Sequence, residues 1–315
     1  MPAGQLPVGG AMIYSEALAS QLAMLNWWEH DDGESERISE GVGAAERDAH
    51  PGMAPRRLKK MMVDMFSKGD TYYISQEIID VLLGGFDTLP YGLLGDVRPS
   101  WPYGWAFFEK PVVVPFPNAT LWDLQGIAWG PVLDQQRQGI GGLNLAVFVS
   151  TPKSAHMTCT GMTTWRWGDS WDQQWGATKE LELGDHARVV DRNGQVIFGQ
   201  WLSKLIFSFF AFIRQECVTI QNQPAARPIR RHLPKSYAAE PIIKVIQLRR
   251  RSTATNADES VSIDYSCRWL VRGHWRNQFY PGSQSHRPRY IQPYVKGPDD
   301  KPLKPTKSSL FAVVR

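Results

Sequence analysis

One long apolar segment, residues 196–213, constrains the fold of this chain more than any other feature. Ile, Leu and Phe dominate it, and Lys204 lies near its middle. A lysine at the centre of a membrane span costs about 3 kcal/mol or more, which disfavours a transmembrane helix. The sequence therefore predicts a long helix over about residues 195–216 as the central buried element, and no membrane contact.

The rest of the chain supports a globular protein built around that helix. Its 315 residues suffice for one large domain or two ordinary ones, and an apolar fraction of 43% is typical of a packed core. Three widely spaced cysteines, Cys159, Cys217 and Cys267, form neither a disulfide framework nor a metal knuckle. The first ten residues lack the pattern of a signal peptide. We expect a cytoplasmic protein.

Hydrophobic periodicity predicts an α+β fold with N-terminal helices, a central mixed region containing the long buried helix, and a C-terminal antiparallel β region. Helices are predicted at residues 15–29 and around 58–66, separated by a polar, mobile loop at 30–55. The predicted organisation is a helical and mixed domain over residues 1–223, a proline-containing linker over 224–235, and a basic aromatic β region over 236–315.

Charge separates the two parts of the chain. Residues 224–315 contain 18 Lys and Arg against 6 Asp and Glu, whereas residues 1–223 contain 17 against 25. Such a local excess attracts polyanions or an acidic partner surface. The alternative is that these cations keep a small β region soluble, or attract the acidic part of the same chain.

Motifs of catalysis are missing from the sequence. It contains no Gly-x-Ser-x-Gly elbow, no His-Glu-x-x-His motif and no phosphate loop, and its histidines do not stand at metal-ligand spacing. We therefore predict no cofactor and no metal, and we favour a binding protein over an enzyme.

The most distinctive stretch runs from residue 268 to 280 and mixes basic with aromatic residues. On an extended strand Arg272, His274 and Arg276 could share one face and grip carboxylates or phosphates, with Trp275 beside them to stack on a base or a peptide. The predicted binding residues are Arg268, Arg272, His274, Trp275, Arg276, Arg289, Tyr290 and Tyr294.

Two alternatives stay open for this stretch. The aromatic residues could simply pack a small sheet while the arginines face water. The basic surface could also serve an RNA-binding protein or a metal-independent ribonuclease, in which His274 would transfer protons. A ribonuclease normally needs a second acid or base, and the sequence does not point to one.

The sequence Leu-Val-Arg-Gly-His-Trp at residues 270–275, followed by the aromatic strand at 289–295, resembles the C-terminal signature of the type V anti-CRISPR family. Residues 73–79 and the extended segment at 105–114 resemble the helix and following strand of that family, and the order of elements agrees. The resemblance implies a phage or plasmid protein in a bacterial host cell. It would recognise a host polypeptide, the nascent type V CRISPR effector, and lower its production, with RNA or the ribosome nearby.

Overall fold

The chain has the α+β fold that its sequence predicts, with helices first, a mixed sheet, and antiparallel strands at the C-terminus. The predicted mobile loop at 30–55 lies outside the described residues except for its two end positions. The computed structural model describes residues 10–30, 55–85, 88–89, 97–115, 121–134, 139–149, 158–166, 179–183, 186–190, 198–249, 267–298 and 300–304.

Helices and strands of the described residues are numbered here along the chain. The helices are α1 (Gly10–Glu29), α2 (Pro55–Lys68), α3 (Gln76–Gly84), α4 (Phe198–Phe212) and α5 (Arg227–Arg231). The first strands are β1 (Asp70–Ile74), β2 (Gly104–Pro115), β3 (Leu121–Asp134), β4 (Gly139–Val149), β5 (Thr158–Arg166), β6 (Lys179–Leu183) and β7 (His186–Val190). The remaining strands are β8 (Val218–Pro224), β9 (Ile242–Leu248), β10 (Trp269–Val271), β11 (His274–Tyr280), β12 (Ser285–Ile291) and β13 (Tyr294–Lys296).

A seven-stranded mixed sheet in the order β5-β4-β3-β2-β1-β9-β8 forms the centre of the molecule. Strands β2 to β5 form an antiparallel meander, while β1 runs parallel to both of its neighbours, β2 and β9. Parallel neighbours cannot be joined by a tight turn, and α3 lies in the connection from β1 to β2. The sheet is therefore mixed because a helical crossover follows its first strand.

Helices cover both faces of this sheet. Because side chains alternate along each strand, every strand contributes to both faces. On β1, Tyr73 points to the face covered by α1 and α2, and its ring lies 4.9 Å from that of Tyr14. Tyr72 points to the opposite face, where its ring lies 5.5 Å from that of Phe209 on α4. The result is two cores, one on each side of the sheet.

Helix α4 is the central buried helix that the apolar segment predicts. Phe207, Phe209, Phe210 and Phe212 are all fully buried, and the Phe210 ring meets that of Trp129 on β3 at 5.1 Å. Residues of the sheet and of α3 cover its apolar side chains, as a helix of this composition requires. In the described part of the chain, no helix is long and apolar enough to cross a membrane.

The predicted linker at 224–235 connects two strands of the main sheet. It begins at the last residue of β8 and contains α5, and β8 pairs with β9 along its whole length from Val218↔Leu248 to Pro224↔Ile242. Strand β9, the first strand of the predicted C-terminal β region, therefore lies in the main sheet between β1 and β8. The strands after residue 267 form two separate two-stranded sheets, β10 with β13 and β11 with β12.

One buried side-chain amide joins α1 and α2 to the sheet. Gln21 on α1 is fully buried, and its Nε2 donates to the carbonyl oxygens of Phe66 (2.8 Å) and Gly69 (2.9 Å) at the end of α2. Its Oε1 accepts a hydrogen bond from the hydroxyl of Thr71 on β1. A single side chain thus satisfies three buried polar groups at the point where α2 turns into the sheet.

We predict that Gln21→Leu lowers the free energy of unfolding by about 2 to 3 kcal/mol, because it removes the hydrogen bonds of Gln21 to these three buried polar groups. Urea unfolding followed by tryptophan fluorescence measures the change. Ala23→Leu, at an exposed position of the same helix, is the control and should change stability by less than about 0.5 kcal/mol. A loss for Gln21→Leu no larger than that of the control would contradict this role.

Candidate functional site

The basic aromatic stretch forms a two-stranded antiparallel ribbon of β11 and β12, called the ribbon below. Trp275 pairs with Tyr290, and the next pair along the ribbon is Arg276 with Arg289. Because consecutive side chains of a strand point to opposite faces, the two aromatic rings lie on one face and the two guanidinium groups on the other. The ribbon therefore has an aromatic face and a basic face.

The aromatic face packs on the body of the protein. Trp275 is 4% exposed and Tyr290 is 6% exposed. The Phe212 ring at the end of α4 lies 5.3 Å from that of Tyr290 and 6.5 Å from that of Trp275, in edge-to-face arrangements. This corrects the prediction that Trp275 and Tyr290 are surface determinants: the end of α4 exposes an apolar ring that the ribbon covers, so both side chains belong to the core.

Hydrogen bonds from the body hold both outer edges of the ribbon. The backbone N–H of Trp275 donates to the hydroxyl of Thr88 at 2.8 Å. On the other edge, the backbone N–H of Tyr290 donates to Oε1 of Gln215 at 3.0 Å, and Nε2 of Gln215 donates to the carbonyl oxygen of Pro288 at 3.2 Å. The ribbon is thus fixed in position by side chains as well as by packing.

Gly273, in the predicted Arg-Gly-His-Trp motif, makes room for Tyr290. A Cβ atom at position 273 would lie 2.0 Å from the hydroxyl oxygen of Tyr290 and 2.9 Å from its Cζ. The chain needs a residue without a side chain where β10 leads into β11, because the tyrosine ring lies against that backbone. The glycine of the motif therefore serves the packing of the ribbon.

The basic face of the ribbon points to solvent. Arg276 and Arg289 are exposed and directly opposite each other, and Arg287 follows on the same face with its guanidinium 5.7 Å from the ring centre of Tyr280. Nη2 of Arg289 lies 3.6 Å from a carboxylate oxygen of Glu216, whose side chain is 92% exposed. Exposed pairs of this kind contribute little, so the face keeps its positive charge.

The other predicted site residues lie beside the ribbon. Arg268 precedes β10, Arg272 is exposed between β10 and β11, and Tyr294 begins β13. His274 is half-buried at the start of β11, with Nδ1 3.0 Å from the carbonyl oxygen of Arg272. Only His274 and Arg276 of the predicted three-residue face share a strand, because β11 begins after Arg272.

A cleft of about 910 Å³ runs along β12, between this strand and the turn that follows α4. We call it the basic cleft, because four arginines line it against one acidic residue. The charged and amide residues of its lining include Arg214, Gln215, Glu216, Arg249, Arg287 and Arg289.

Sequence reasoning missed the half of this cleft that the body supplies. Arg214 and Gln215 follow α4, and Arg249 follows β9, so all three are far in sequence from the ribbon. Arg214 is anchored by its Nη2, which donates to the carbonyl oxygen of Arg98. The signal available in the sequence was the run of polar and charged residues, Arg-Gln-Glu-Cys at 214–217, directly after an apolar helix.

Two groups beside the arginines, the Cys217 thiol and the Tyr290 phenol, stay neutral at neutral pH. Burial raises the pKa of the Cys217 thiol above its ordinary value. Burial is also the main reason that the pKa of Tyr290 is raised to about 12, and Cys217 adds to it. Among the residues that the structure describes, no group of three or more His, Cys, Asp or Glu side chains could hold a metal ion. Cys217 and Tyr290 therefore do not offset the positive charge of the arginines.

No protein-family model matches the chain, and no curated protein matches it. Among solved structures, the crystal structure of AcrVA2 matches with a TM-score of 0.44 and 16% sequence identity, covering 92% of this chain and 95% of that chain. This likeness is weak, and the function proposed for the chain rests on its own residues.

We predict that Gly273→Ala destabilises the protein by about 2 kcal/mol or more, because the new methyl group must displace the buried Tyr290 ring. Chemical unfolding and near-ultraviolet circular dichroism measure the loss. Gly282→Ala, in the turn of the same ribbon where a Cβ meets no atom within 4 Å, is the matched control. Adding Tyr290→Phe to Gly273→Ala removes the hydroxyl oxygen closest to the new methyl group and should recover part of the lost stability. An equal loss of stability in Gly273→Ala and Gly282→Ala would contradict the packing role of Gly273.

Proposed function

We propose that this chain is an interaction protein that binds a host polypeptide by an acidic segment held in the basic cleft. The observation that carries the proposal is the gathering of four arginines, from β12 and from the body, around one concave surface. Glu216 is the acidic residue of that lining, and its 92% exposed side chain neutralises little of the charge. A concave surface with an excess of one sign of charge concentrates ligands of the opposite sign.

Guanidinium groups suit an acidic polypeptide because they donate two parallel hydrogen bonds to a carboxylate. Arg287 and Arg289 stand two residues apart on one strand, so their head groups follow the spacing of alternate side chains in an extended peptide. Arg214 and Arg249 line the opposite side of the cleft and add charge to it. The cleft thus offers cations on both sides of an extended chain.

Charge alone would equally favour RNA, since guanidinium groups also bind phosphates. Proteins that bind single-stranded RNA add exposed aromatic rings on which the bases stack. The rings of Trp275 and Tyr290, the two aromatic residues predicted to do so, are buried against Phe212. The exposed aromatic residue of the cleft lining, Tyr280, has its ring 5.7 Å from the guanidinium of Arg287. Because both predicted stacking rings are buried, we favour a polypeptide over RNA as the ligand.

The identity of the polypeptide is a finer part of the proposal. The resemblance of residues 270–275 and 289–295 to the type V anti-CRISPR family supports an anti-CRISPR-like protein of a phage or plasmid. Its target would be the nascent type V effector chain in the cytoplasm of the bacterial host cell, and the result would be lower production of that effector. Ribosomal RNA would then lie near the ribbon during binding.

We predict that Arg287→Glu/Arg289→Glu weakens binding of an acidic peptide by at least about tenfold, because it removes two carboxylate partners and replaces them with repulsive charges. The probe is a fluorescein-labelled peptide of alternating Thr and Glu that matches the seven residues of β12 in length. Fluorescence anisotropy at several salt concentrations measures the affinity.

The matched control is Arg230→Glu/Arg231→Glu, the same change of charge at two exposed residues of α5 outside the cleft lining. It should leave peptide affinity within about twofold at moderate salt. Equal weakening by both double variants, or no binding by the wild type, would overturn the cleft as a peptide site. A labelled oligouridylate that binds the wild type more tightly than the peptide would establish the RNA-binding alternative.

In bacterial cells that carry a type V CRISPR system, we expect expression of the chain to protect a targeted plasmid and to lower the amount of effector protein. Arg287→Glu/Arg289→Glu should lose this protection, and Arg230→Glu/Arg231→Glu should keep it. Plasmid retention and an immunoblot of the effector are the readouts. Unchanged effector levels and unchanged interference, with folded protein present in the cells, would refute the anti-CRISPR part of the proposal.

A further inference from the structure

Among the strands that the structure describes, β12 pairs with β11 alone, and its other edge faces the basic cleft. In the ribbon, the pairs Trp275↔Tyr290 and Asn277↔Pro288 direct their backbone polar groups away from each other, since the Tyr290 N–H bonds to Gln215 and the Trp275 N–H bonds to Thr88. Pro288, which has no N–H, is tolerated in the strand for the same reason. The outward backbone groups of β12 are therefore those of residues 286, 288 and 290.

The side-chain amide of Gln215 occupies this edge in the manner of a neighbouring strand. Its Nε2 donates to the carbonyl oxygen of Pro288 at 3.2 Å, and its Oε1 accepts from the N–H of Tyr290 at 3.0 Å. In a parallel sheet, the peptide groups of one residue make the same two bonds, to the residues before and after its neighbour. The amide thus takes the position of one residue of a parallel strand, level with Arg289.

Hydrogen bonding leaves most of this edge available. Because Pro288 has no N–H, this edge has five outward backbone groups, and within the described residues Gln215 is the side chain that bonds to it, engaging two of the five. A parallel guest strand thus finds no N–H at Pro288 for the carbonyl of its residue level with Arg287. An open edge that lines a cleft is the surface to which extended peptides add as an extra strand. The Gln215 amide also donates to the carbonyl oxygen of Ala211 at 3.0 Å, so it has a second partner when it leaves the edge.

We propose that the acidic segment binds as an additional β-strand, parallel to β12, and that its backbone replaces the amide of Gln215 at the edge. This inference rests on the proposed polypeptide-binding function and specifies how the same cleft recognises its ligand. The ligand is an extended segment of a partner protein in which acidic residues alternate with small or β-branched ones.

The register of such a strand fixes where its acidic residues belong. The guest residue that replaces the Gln215 amide is level with Arg289, and residues level with each other in a sheet point to the same face. Its side chain therefore lies beside Arg289, and the guest residue two positions earlier lies beside Arg287. Arg276 and Arg289 are already opposite each other, so an acidic guest residue relieves the repulsion of a like-charge pair.

The same register states which backbone N–H groups of the guest face β12. They belong to the acidic residues, because the residue level with Arg289 is the one that donates to Pro288. The intervening residues are level with Pro288 and Tyr290 and direct their N–H groups outwards. A peptide of alternating Thr and Glu therefore carries two chemically distinct sets of amides in this site.

Backbone N-methylation of the Thr-Glu peptide tests the proposal. Methylation of one central Glu should weaken binding to the wild-type protein by about tenfold, because a backbone hydrogen bond is lost and the Pro288 carbonyl is left unpaired. Methylation of the neighbouring Thr should change affinity by less than about twofold. Anisotropy with the unmethylated peptide in the same series shows whether the cleft binds an acidic peptide at all.

Each other outcome overturns one defined statement. Equal affinity for all three peptides refutes strand addition while the proposed function stands; selective loss with the methylated Thr refutes the parallel register and indicates an antiparallel one. No binding by any of them refutes the proposed function itself. A dimer in sedimentation that the peptide dissociates identifies a second copy of this chain as the natural occupant, which also overturns the proposal.

Gln215→Ala provides an independent measurement. Because the amide and the guest compete for the same two backbone groups, its removal should tighten binding of the unmethylated peptide by about fivefold. If the edge is not the site, the variant should bind with unchanged or weaker affinity, and that result contradicts strand addition. Circular dichroism checks that the variant is folded, and the N-methyl series on the wild type decides the question if it is not.

Discussion

The contact of Phe212 with Trp275 and Tyr290 is the interaction on which the cleft depends. An isolated two-stranded ribbon is marginally stable in water, so the ribbon needs an apolar surface on which to rest. The end of α4 supplies it, and truncation of such a buried ring typically costs about 3 to 5 kcal/mol. Because α4 is itself buried against one face of the sheet, the position of the ribbon follows from that core. Its basic face and the edge of β12 are oriented by the same contact.

Helices whose hydrophobic pattern lies within one segment of the chain were predicted from the sequence. The apolar run predicted α4, and hydrophobic periodicity predicted α1 and α2. Strand β3 was not predicted, because its glycines resemble those of turns. Gly126 is instead required by packing, since a Cβ there would lie 2.3 Å from the Trp105 ring. A sequence does not distinguish a glycine of a turn from one that accommodates a ring from another strand.

The candidate site was predicted in part for a similar reason. Alternation places Trp275 and Arg276 on opposite faces of a strand, but it does not state which face is buried. Phe212 decides which face is buried, because its ring lies against that of Trp275. Phe212 is distant in the sequence, so the residues around Trp275 and Arg276 do not reveal this contact. Arg214, Gln215 and Arg249 are brought to the ribbon by the same long-range packing. The ribbon side of the cleft is therefore visible in the sequence, whereas the sequence does not show that the body residues lie beside it.

Arg276 and Arg289 bear on the choice between a binding face and a merely solvated one. Like charges directly opposite each other destabilise an antiparallel pair, whereas opposite charges would stabilise it and keep the ribbon equally soluble. A face that contacts only water gains nothing from this destabilisation. On a face that binds carboxylates, the ligand relieves the repulsion between the two arginines. The amide of Gln215 adds a second condition, because a ligand must offer a backbone as well as charge to displace it. A generic polyanion meets the first condition alone, and an acidic extended polypeptide meets both.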